Sequence, residues 1–346
     1  MTATPPAPRA AVVAGLGGWI PHRAVDNDEL ARILDTSDTW IRTRTGIRRR
    51  YTIAPGEATS DLAVEAGRRA LKSAGAADAD ALVLATSTPD QPCPATAPQV
   101  AARLGLGPVP AFDVNAVCTG FVYALATAAG LIATGTAERV LVIGADTFST
   151  ILAPDDRTTR AIFGDGAGAV LLRAGDRSEP GALLDFDLGS EGEQAELIQV
   201  PAGGSRQRST KLAAPARDHC FTMQGRPVFM HAVLRMSAST QKLIDRQEWG
   251  TPDKLVAHQA NIRILNAVGD QLGLGEEQVV ANLDRVGNTV AGSIPLALAD
   301  AVTDGRLTPG DRVVLTGFGG GLTWGSAALV WPDLPVEALP HQPWAA

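Results

Sequence analysis

The stretch DVNAVCTGFVYALATAAG, residues 113–130, places a cysteine, Cys118, directly before a long run of small and apolar residues. The run is long enough for a helix, and the next apolar stretch, AERVLVIGAD at residues 137–146, has the short pattern of a buried strand. A polar stretch, a helix and a strand in this order predict one unit of an α/β fold. Cys118 is expected at or next to the amino end of the helix.

The second half of the chain repeats this order. Asn288 is followed by the helical pattern SIPLALADAV, residues 293–302, and by the strand pattern GDRVVLTGFG, residues 310–319. A similar stretch precedes each of these segments: DADALVLATSTPD, residues 78–90, lies before Cys118, and TPDKLVAHQANIR, residues 251–263, lies before Asn288. Each gives an acidic turn, an apolar strand and a polar strand end. Rough echoes of this kind arise by chance in many α/β proteins, but the shared order of parts favours two related halves.

The charged and glycine-containing stretch RAGDRSEPGA, residues 173–182, has the composition of a linker between the two halves. We therefore expect an α/β protein with an amino-terminal half over residues 1–175, which carries Cys118. The carboxy-terminal half over residues 176–346 carries His258 and Asn288.

Charge and composition exclude several classes of protein. The 346 residues carry a formal net charge of -7, which argues against a general nucleic-acid binder because phosphate neutralisation needs a basic face. Three cysteines without a CxxC pair predict neither a disulfide framework nor a zinc site, and they fit a reducing cytoplasm. No segment approaches the roughly 20 apolar residues of a membrane helix. We expect a cytoplasmic protein that holds no metal and does not enter a membrane.

Three residues have a setting that suits chemistry. Amide N–H groups at a helix start favour the thiolate of Cys118 and can bind an oxyanion, although a cysteine among apolar residues is often only packing. His258 ends a strand, where α/β sheets place their ligands. Asn288 precedes a helix, so its side chain is expected either to cap that helix or to donate a hydrogen bond from its amide.

Two glycine clusters raise the question of a nucleotide site. VVAGLGGWIPHRAV, residues 12–25, begins like a dinucleotide fingerprint, but Pro21 and the irregular stretch after it do not open the required helix. GFGGGLTWGS, residues 317–326, leads from one strand into another. Its glycines are expected to let the backbone approach a bound group closely.

Six motifs in order give the chain a family resemblance between about residue 10 and residue 332. They are SDTWIRTRTGI (37–47), NAVCTGFVYAL (115–125), IFGDGAGAVLL (162–172), HQANIRIL (258–265), GNT (287–289) and GFGGGLTWGS (317–326). The sequence thereby resembles the β-ketoacyl-ACP synthase III family of thiolase-like condensing enzymes. The resemblance implies a homodimer with a five-layered αβαβα core, and a catalytic triad of Cys118, His258 and Asn288.

The resemblance also implies an activity. The acyl group of an acyl-CoA is loaded on Cys118 and condensed with a malonyl thioester with loss of CO2. This thioester is malonyl-ACP or malonyl-CoA, and the resemblance favours malonyl-ACP. No cofactor is implied beyond these coenzyme A thioester substrates. The reaction would prime fatty-acid or polyketide synthesis, with the backbone N–H groups of Cys118 and Gly321 as the oxyanion hole. The alternative is an acyltransferase of the same family type that passes the acyl group to an oxygen or nitrogen acceptor.

Further residues take their expected roles from the resemblance. Those expected around coenzyme A are Thr36, Trp40, Arg44, Arg157 and Asn261, and those expected at the acyl pocket are Cys93 and Phe163. Cys93 is smaller than the residue usual at its position, which suggests a longer or branched acyl group. Val290 and Gly292 depart from the family pattern near the asparagine, with an effect that the sequence does not indicate. Met230 and Asp270 replace basic residues that would meet an acyl carrier protein, which leaves carrier docking open.

Overall fold

Strands and helices alternate through residues 9–340, the part of the chain that the computed structural model describes. The strands are β1 Ala10–Trp19, β2 Arg23–Asp26, β3 Arg49–Thr52, β4 Ala81–Ala85, β5 Ala111–Val114, β6 Arg139–Asp146, β7 Gly166–Gly175, β8 Leu183–Ser190, β9 Ile198–Gln199, β10 Thr222–Met223, β11 Lys254–Ala257, β12 Arg312–Gly319 and β13 Thr323–Val330. The helices are α1 Asn27–Ala31, α2 Asp38–Thr45, α3 Thr59–Ser73, α4 Ala97–Arg103, α5 Gly120–Ala133, α6 Arg157–Arg160, α7 Ser205–Ser209, α8 Gly225–Arg246, α9 Ile262–Leu272, α10 Leu283–Val286 and α11 Ser293–Thr303.

Two main sheets organise these elements. The first has the strand order β1-β7-β6-β4-β5, with β4 parallel to both β5 and β6 and the other pairs antiparallel. The second has the order β11-β12-β13-β8, with β11 and β12 parallel and the other pairs antiparallel. The first sheet uses strands before residue 176, and the second uses strands after it.

Helices fill the space between the two sheets and cover their outer faces. Helices α5 and α11 lie in the middle, where Phe121 and Leu296 pack in one core with Val142 of the first sheet and Leu315 of the second. Helices α3 and α4 cover the first sheet, and α8 and α9 cover the second. The expected α/β fold with a five-layered αβαβα core is confirmed. Among the helices of residues 9–340, none has the length and apolar character needed to span a bilayer.

The central strands are apolar because helices cover both of their faces. All five residues of β4 are buried, as are seven of the eight residues of β6. Strands buried on both faces carry continuous apolar runs rather than an alternating pattern. The carboxyl ends of these strands, and of β11 and β12 in the second sheet, point toward the region between the halves where polar residues collect.

The glycines at residues 15–18, which resemble part of a nucleotide motif, serve packing. A Cβ on Gly17 would lie 2.5 Å from the backbone nitrogen of Ala70, and a Cβ on Gly15 would lie 2.3 Å from its carbonyl oxygen. Both contacts are with α3, which lies directly across β1. The glycines therefore allow the helix to approach the strand more closely than any side chain would permit.

A test of this packing compares two glycine substitutions. Gly17→Ala should lower the free energy of unfolding by about 1–3 kcal/mol because the new methyl group overlaps the α3 backbone. Gly130→Ala is the control, since a Cβ there meets nothing within 4 Å. This change should raise stability by up to about 1 kcal/mol through helix propensity. Urea unfolding measures both, and equal effects of the two changes would contradict the interpretation.

Candidate active site

One cavity of about 710 Å³ brings together the three residues that the sequence predicts as a catalytic group. Cys118, His258 and Asn288 all line it, and Trp40 and Arg44 line the same cavity. The three catalytic candidates are buried, with 9%, 2% and 3% of their surfaces exposed. The cavity can therefore hold a reacting group away from bulk water.

Cys118 lies in a short 3-10 turn, Val117–Thr119, and α5 begins one residue later at Gly120. Val117 has a φ of 47°, in the left-handed region that a β-branched residue rarely adopts. Such strain persists only where the surrounding structure fixes it, commonly at functional sites. The predicted location of the cysteine next to a helix start is confirmed.

A second turn of the same form lies in the other half. It covers Val290–Gly292, α11 begins one residue later at Ser293, and Val290 has a φ of 52°. The position equivalent to Cys118 in this turn is Ala291. The second half therefore repeats the backbone of the nucleophile turn without a nucleophile.

Asn288 also has an equivalent, which is Asn115. The Oδ1 atom of Asn115 accepts a hydrogen bond of 3.4 Å from the N–H of Val117, and Oδ1 of Asn288 accepts one of 2.9 Å from the N–H of Val290. The two turns thus share an asparagine two residues before the strained valine. The sequence showed the order of parts but not this residue-level register.

The backbone and side-chain contacts of Asn288 fix its orientation. Its N–H donates to the carbonyl of Ile162, and its carbonyl accepts from the N–H of Gly164, both at 2.9 Å. Since the Oδ1 atom accepts from Val290, the Nδ2 group is the part of the amide left to donate into the cavity.

His258 follows β11, and its N–H donates to the carbonyl of Thr316 over 2.7 Å. Its Nδ1 atom lies 2.7 Å from the hydroxyl of Ser293, a residue that sequence reasoning missed. Burial lowers the pKa of His258 from its ordinary value to about 3. The imidazole is therefore neutral throughout the physiological pH range and acts as a hydrogen-bond group rather than as a cation.

The ionisation of Cys118 differs from the expectation. Burial raises the pKa of the Cys118 thiol well above its ordinary range, and the nearby carboxylate of Asp146 adds to the rise. The N–H of Cys118 favours the thiolate, but its effect on the pKa is smaller than that of burial. Cys118 is thus a neutral thiol in the free protein.

The glycine run after β12 lies against this turn. A Cβ on Gly319 would be 2.8 Å from the nitrogen of Cys118, and one on Gly320 would be 3.4 Å from Cγ2 of Val117. Gly321, the expected oxyanion donor, is exposed and has a φ of 131°, and the atoms nearest to a Cβ there belong to Thr323. The structure therefore places Gly319, rather than Gly321, against the cysteine.

The outer part of the cavity carries the residues expected around coenzyme A. The guanidinium groups of Arg44 and Arg157 lie over the ring of Trp40, at 5.0 Å and 5.3 Å from its centroid. Asn261 lines the cavity and caps α9 by accepting from the N–H of Ile264. Trp40, Arg44 and Asn261 line the cavity, whereas Arg157 reaches it through Trp40.

Thr36, also expected at the coenzyme, does not line the cavity, but its hydroxyl oxygen is buried without a hydrogen-bond partner. Cys93, expected at the acyl pocket, is exposed and lies outside the cavity lining of the single chain. Neither position is in contact with the group around Cys118. Among residues 9–340, no cluster of histidine, cysteine or acidic side chains could hold a metal ion.

Phenylalanines form one wall of the cavity beside Cys118. Phe163, an expected pocket residue, packs with Phe148 at a centroid distance of 4.6 Å and with Phe221 at 5.1 Å. Phe221 lies in a loop without a periodic pattern, so no sequence signal indicated it. The wall is apolar and suits a hydrocarbon chain.

The thiol state of Cys118 can be measured by alkylation. We expect the rate of Cys118 labelling by iodoacetamide to keep rising with pH beyond the ordinary cysteine value of about 8.5, because only the thiolate reacts. Peptide mass spectrometry resolves the labelled sites, and Cys118→Ser identifies the signal of Cys118. Labelling of Cys118 that levels off below pH 7 would contradict the raised pKa.

Known proteins resemble the chain along nearly its whole length. Family models described as 3-oxoacyl-[acyl-carrier-protein (ACP)] synthase III and its C-terminal part match residues 112–192 and 248–331. A relative from Streptomyces coelicolor, beta-ketoacyl-[acyl-carrier-protein] synthase III 5, is 58% identical over 94% of this chain and 98% of its own.

Solved structures agree with these matches. The crystal structure of 3-oxoacyl-(acyl carrier protein) synthase III from Pseudomonas aeruginosa has a TM-score of 0.88 and 54% identity, covering 94% of this chain and all of the other. The priming β-ketosynthase of the R1128 polyketide biosynthetic pathway has the same TM-score at 31% identity, covering 97% of this chain and all of its own. The chain therefore belongs to the β-ketoacyl-ACP synthase III family of thiolase-like condensing enzymes, which are transferases.

Proposed function

We propose that this enzyme loads the acyl group of an acyl-CoA on Cys118 and condenses it with a malonyl thioester, with loss of CO2. Malonyl-ACP is favoured over malonyl-CoA as this thioester. The observation that carries the proposal is the meeting of Cys118, His258 and Asn288 in one buried cavity that Trp40 and Arg44 also line. The product would prime a fatty-acid or polyketide chain.

In the first half-reaction the sulfur of Cys118 attacks the thioester carbonyl, and coenzyme A leaves as its free thiol with the proton that Cys118 gives up. The N–H of Cys118 donates to the oxyanion. We propose the backbone N–H of Gly320 as the second donor, in place of that of Gly321. The reason is that the preceding residue, Gly319, lies against the N–H of Cys118.

In the second half-reaction the malonyl group loses CO2, and its electron pair forms an enolate. We propose that Nε2–H of His258 and Nδ2 of Asn288 donate to the enolate oxygen. In this tautomer Nδ1 is an acceptor, and the hydroxyl of Ser293, 2.7 Å away, donates to it. The enolate carbon then attacks the acyl-cysteine, and Cys118 is released. Since the electrons come from decarboxylation, the proposed reaction needs no cofactor.

Neutral donors suit this step. A group that donates without carrying charge stabilises the enolate as it forms, whereas a carboxylate in the same place would repel it. His258 is neutral because burial lowers its pKa to about 3, and the amide of Asn288 does not titrate. The presence of Asn288 as an enolate donor favours condensation, because simple acyl transfer to an oxygen or nitrogen acceptor forms no enolate.

The outer cavity supports the proposed coenzyme A site. The Trp40 ring can stack on a base, and Arg44 and Arg157 beside it can bind phosphates.

For the carrier protein, Arg226 and Arg263 lie near exposed Met230 on the cavity rim and supply positive charge there. Asp270 cannot supply positive charge, so docking of the carrier protein would depend on these arginines. A homodimer is also part of the proposal, and since Cys93 lies outside the cavity of its own chain, a pocket role for it would be in the partner subunit.

The two half-reactions can be separated by mass spectrometry of the intact protein. Cys118→Ala should abolish the acyl adduct from every acyl-CoA offered. Asn288→Asp should still acylate, but its release of CO2 from malonyl-ACP should fall about 100- to 1,000-fold, because it loses an enolate donor and adds a charge. Exposed Asn266→Asp is the matched control and should change neither step.

Acyl transfer to another acceptor without CO2 release in the wild type would support the acyltransferase alternative instead. No acyl adduct with any donor would overturn both functions.

The acyl-group preference tests the proposed role of Cys93. In a competition among acyl-CoAs of different length and branching, the wild type should prefer a group longer than acetyl. Cys93→Phe should shift the preference toward acetyl by reducing the pocket of the partner subunit, and Cys93→Ser should not. A preference for acetyl that Cys93→Phe leaves unchanged would contradict this role.

A further inference from the structure

The turns of the two halves pack across each other in the same way. A Cβ on Gly144 of β6 would lie 2.2 Å from the carbonyl oxygen of Ala291, and a Cβ on Gly317 of β12 would lie 3.4 Å from that of Cys118. Each turn thus lies against the central strand of the opposite half. Gly144 and Gly317 are equivalent positions in this crossed arrangement.

Two residues further along the strands, the halves differ. β12 has Gly319, which leaves the space beside the N–H of Cys118 without a side chain. β6 has Asp146 at the equivalent position, and its Oδ2 atom accepts a hydrogen bond of 3.0 Å from the N–H of Ala291. In one half the strand presents no side chain to the N–H of the turn, and in the other half that N–H is bonded to a carboxylate of the protein itself.

Asp146 is fully buried and firmly held. Its Oδ1 atom accepts from the N–H and hydroxyl of Ser87, both at 2.8 Å, from the N–H and hydroxyl of Thr88 at 3.1 Å and 2.9 Å, and from the hydroxyl of Thr86 at 3.3 Å. These donors leave Oδ2 directed at Ala291. Burial of a carboxylate is costly and raises the pKa of Asp146, and these hydrogen bonds act against that rise.

We propose that Asp146 is a positioning residue for the condensation step: its carboxylate takes the place of a substrate oxyanion in the second turn and holds that turn through Ala291. The bond to Ala291 and the neighbouring bond from Val290 to Asn288 fix consecutive N–H groups of one turn. Asn288 is thereby held in position to donate to the enolate. This inference rests on the proposed function.

The substitution Asp146→Asn tests the role with almost no change in volume. The remaining oxygen can still accept from Ser87 and Thr88, but the new NH2 group then faces the N–H of Ala291, which loses its acceptor. The turn carrying Asn288 is freed, while the turn carrying Cys118 keeps its own contacts with β12.

The experiment measures acylation by acyl-CoA and CO2 release from malonyl-ACP in the wild type and in each variant. Asp146→Asn should lower CO2 release about 10- to 100-fold through misplacement of the donor. It should not lower acylation, because removing the carboxylate removes one of the causes that raise the pKa of Cys118. The control is Asp80→Asn. The Asp80 carboxylate accepts N–H bonds from Glu138 and Arg139 at the other end of β6, so both steps should be unchanged.

The outcomes separate this inference from the proposed function. A wild type that neither acylates nor releases CO2 overturns the proposed function. A competent wild type whose Asp146→Asn variant loses both steps equally, or neither, overturns only the role of Asp146. If Asp146→Asn does not fold, Ser87→Ala removes one donor to Oδ1 and keeps the carboxylate. It should lower CO2 release alone, by a smaller factor, and an equal loss of both steps would again overturn the role.

Discussion

The crossed packing of two backbone turns against two strands is the constraint on which the rest of the structure depends. Gly317 and Gly319 admit the turn of Cys118, and Gly144 admits the turn that follows Asn288. Both halves therefore contribute to one site. The nucleophile and the amide donor line the same cavity although they lie far apart in the chain. Close-packed backbones of this kind leave little freedom for either turn to move.

The site is built almost entirely from neutral groups. His258 and Cys118 are both kept uncharged by burial, and Asn288 carries no charge. Burial also raises the pKa of the Asp146 carboxyl group, and the hydroxyl and amide donors around it act in the opposite direction. A site that is neutral before the reaction is suited to a negative charge that exists only during it, because fixed donors then need little reorganisation.

Local patterns in the sequence indicated the α/β fold and the three candidate residues, and the family resemblance implied the five layers and the grouping of these residues as a triad. Cys118, His258 and Asn288 lie where apolar runs meet, and a buried strand or helix is readable from a few residues. The match of Cys118 with Ala291, and the position of Gly319 rather than Gly321 beside the thiol, depend on how distant segments pack. So does the aromatic contact of Phe221. The raised pKa of Cys118 likewise follows from burial in the complete structure, which a helix start alone does not report.

The thiol form of Cys118 has a consequence for durability. Peroxides oxidise thiolates far faster than thiols, and overoxidised cysteine is lost permanently as sulfinic or sulfonic acid. A nucleophile that is buried and protonated while the cavity is free of substrate is shielded from this damage. The burial that lowers the reactivity of the sulfur in the free enzyme thus also protects it from oxidation between turnovers.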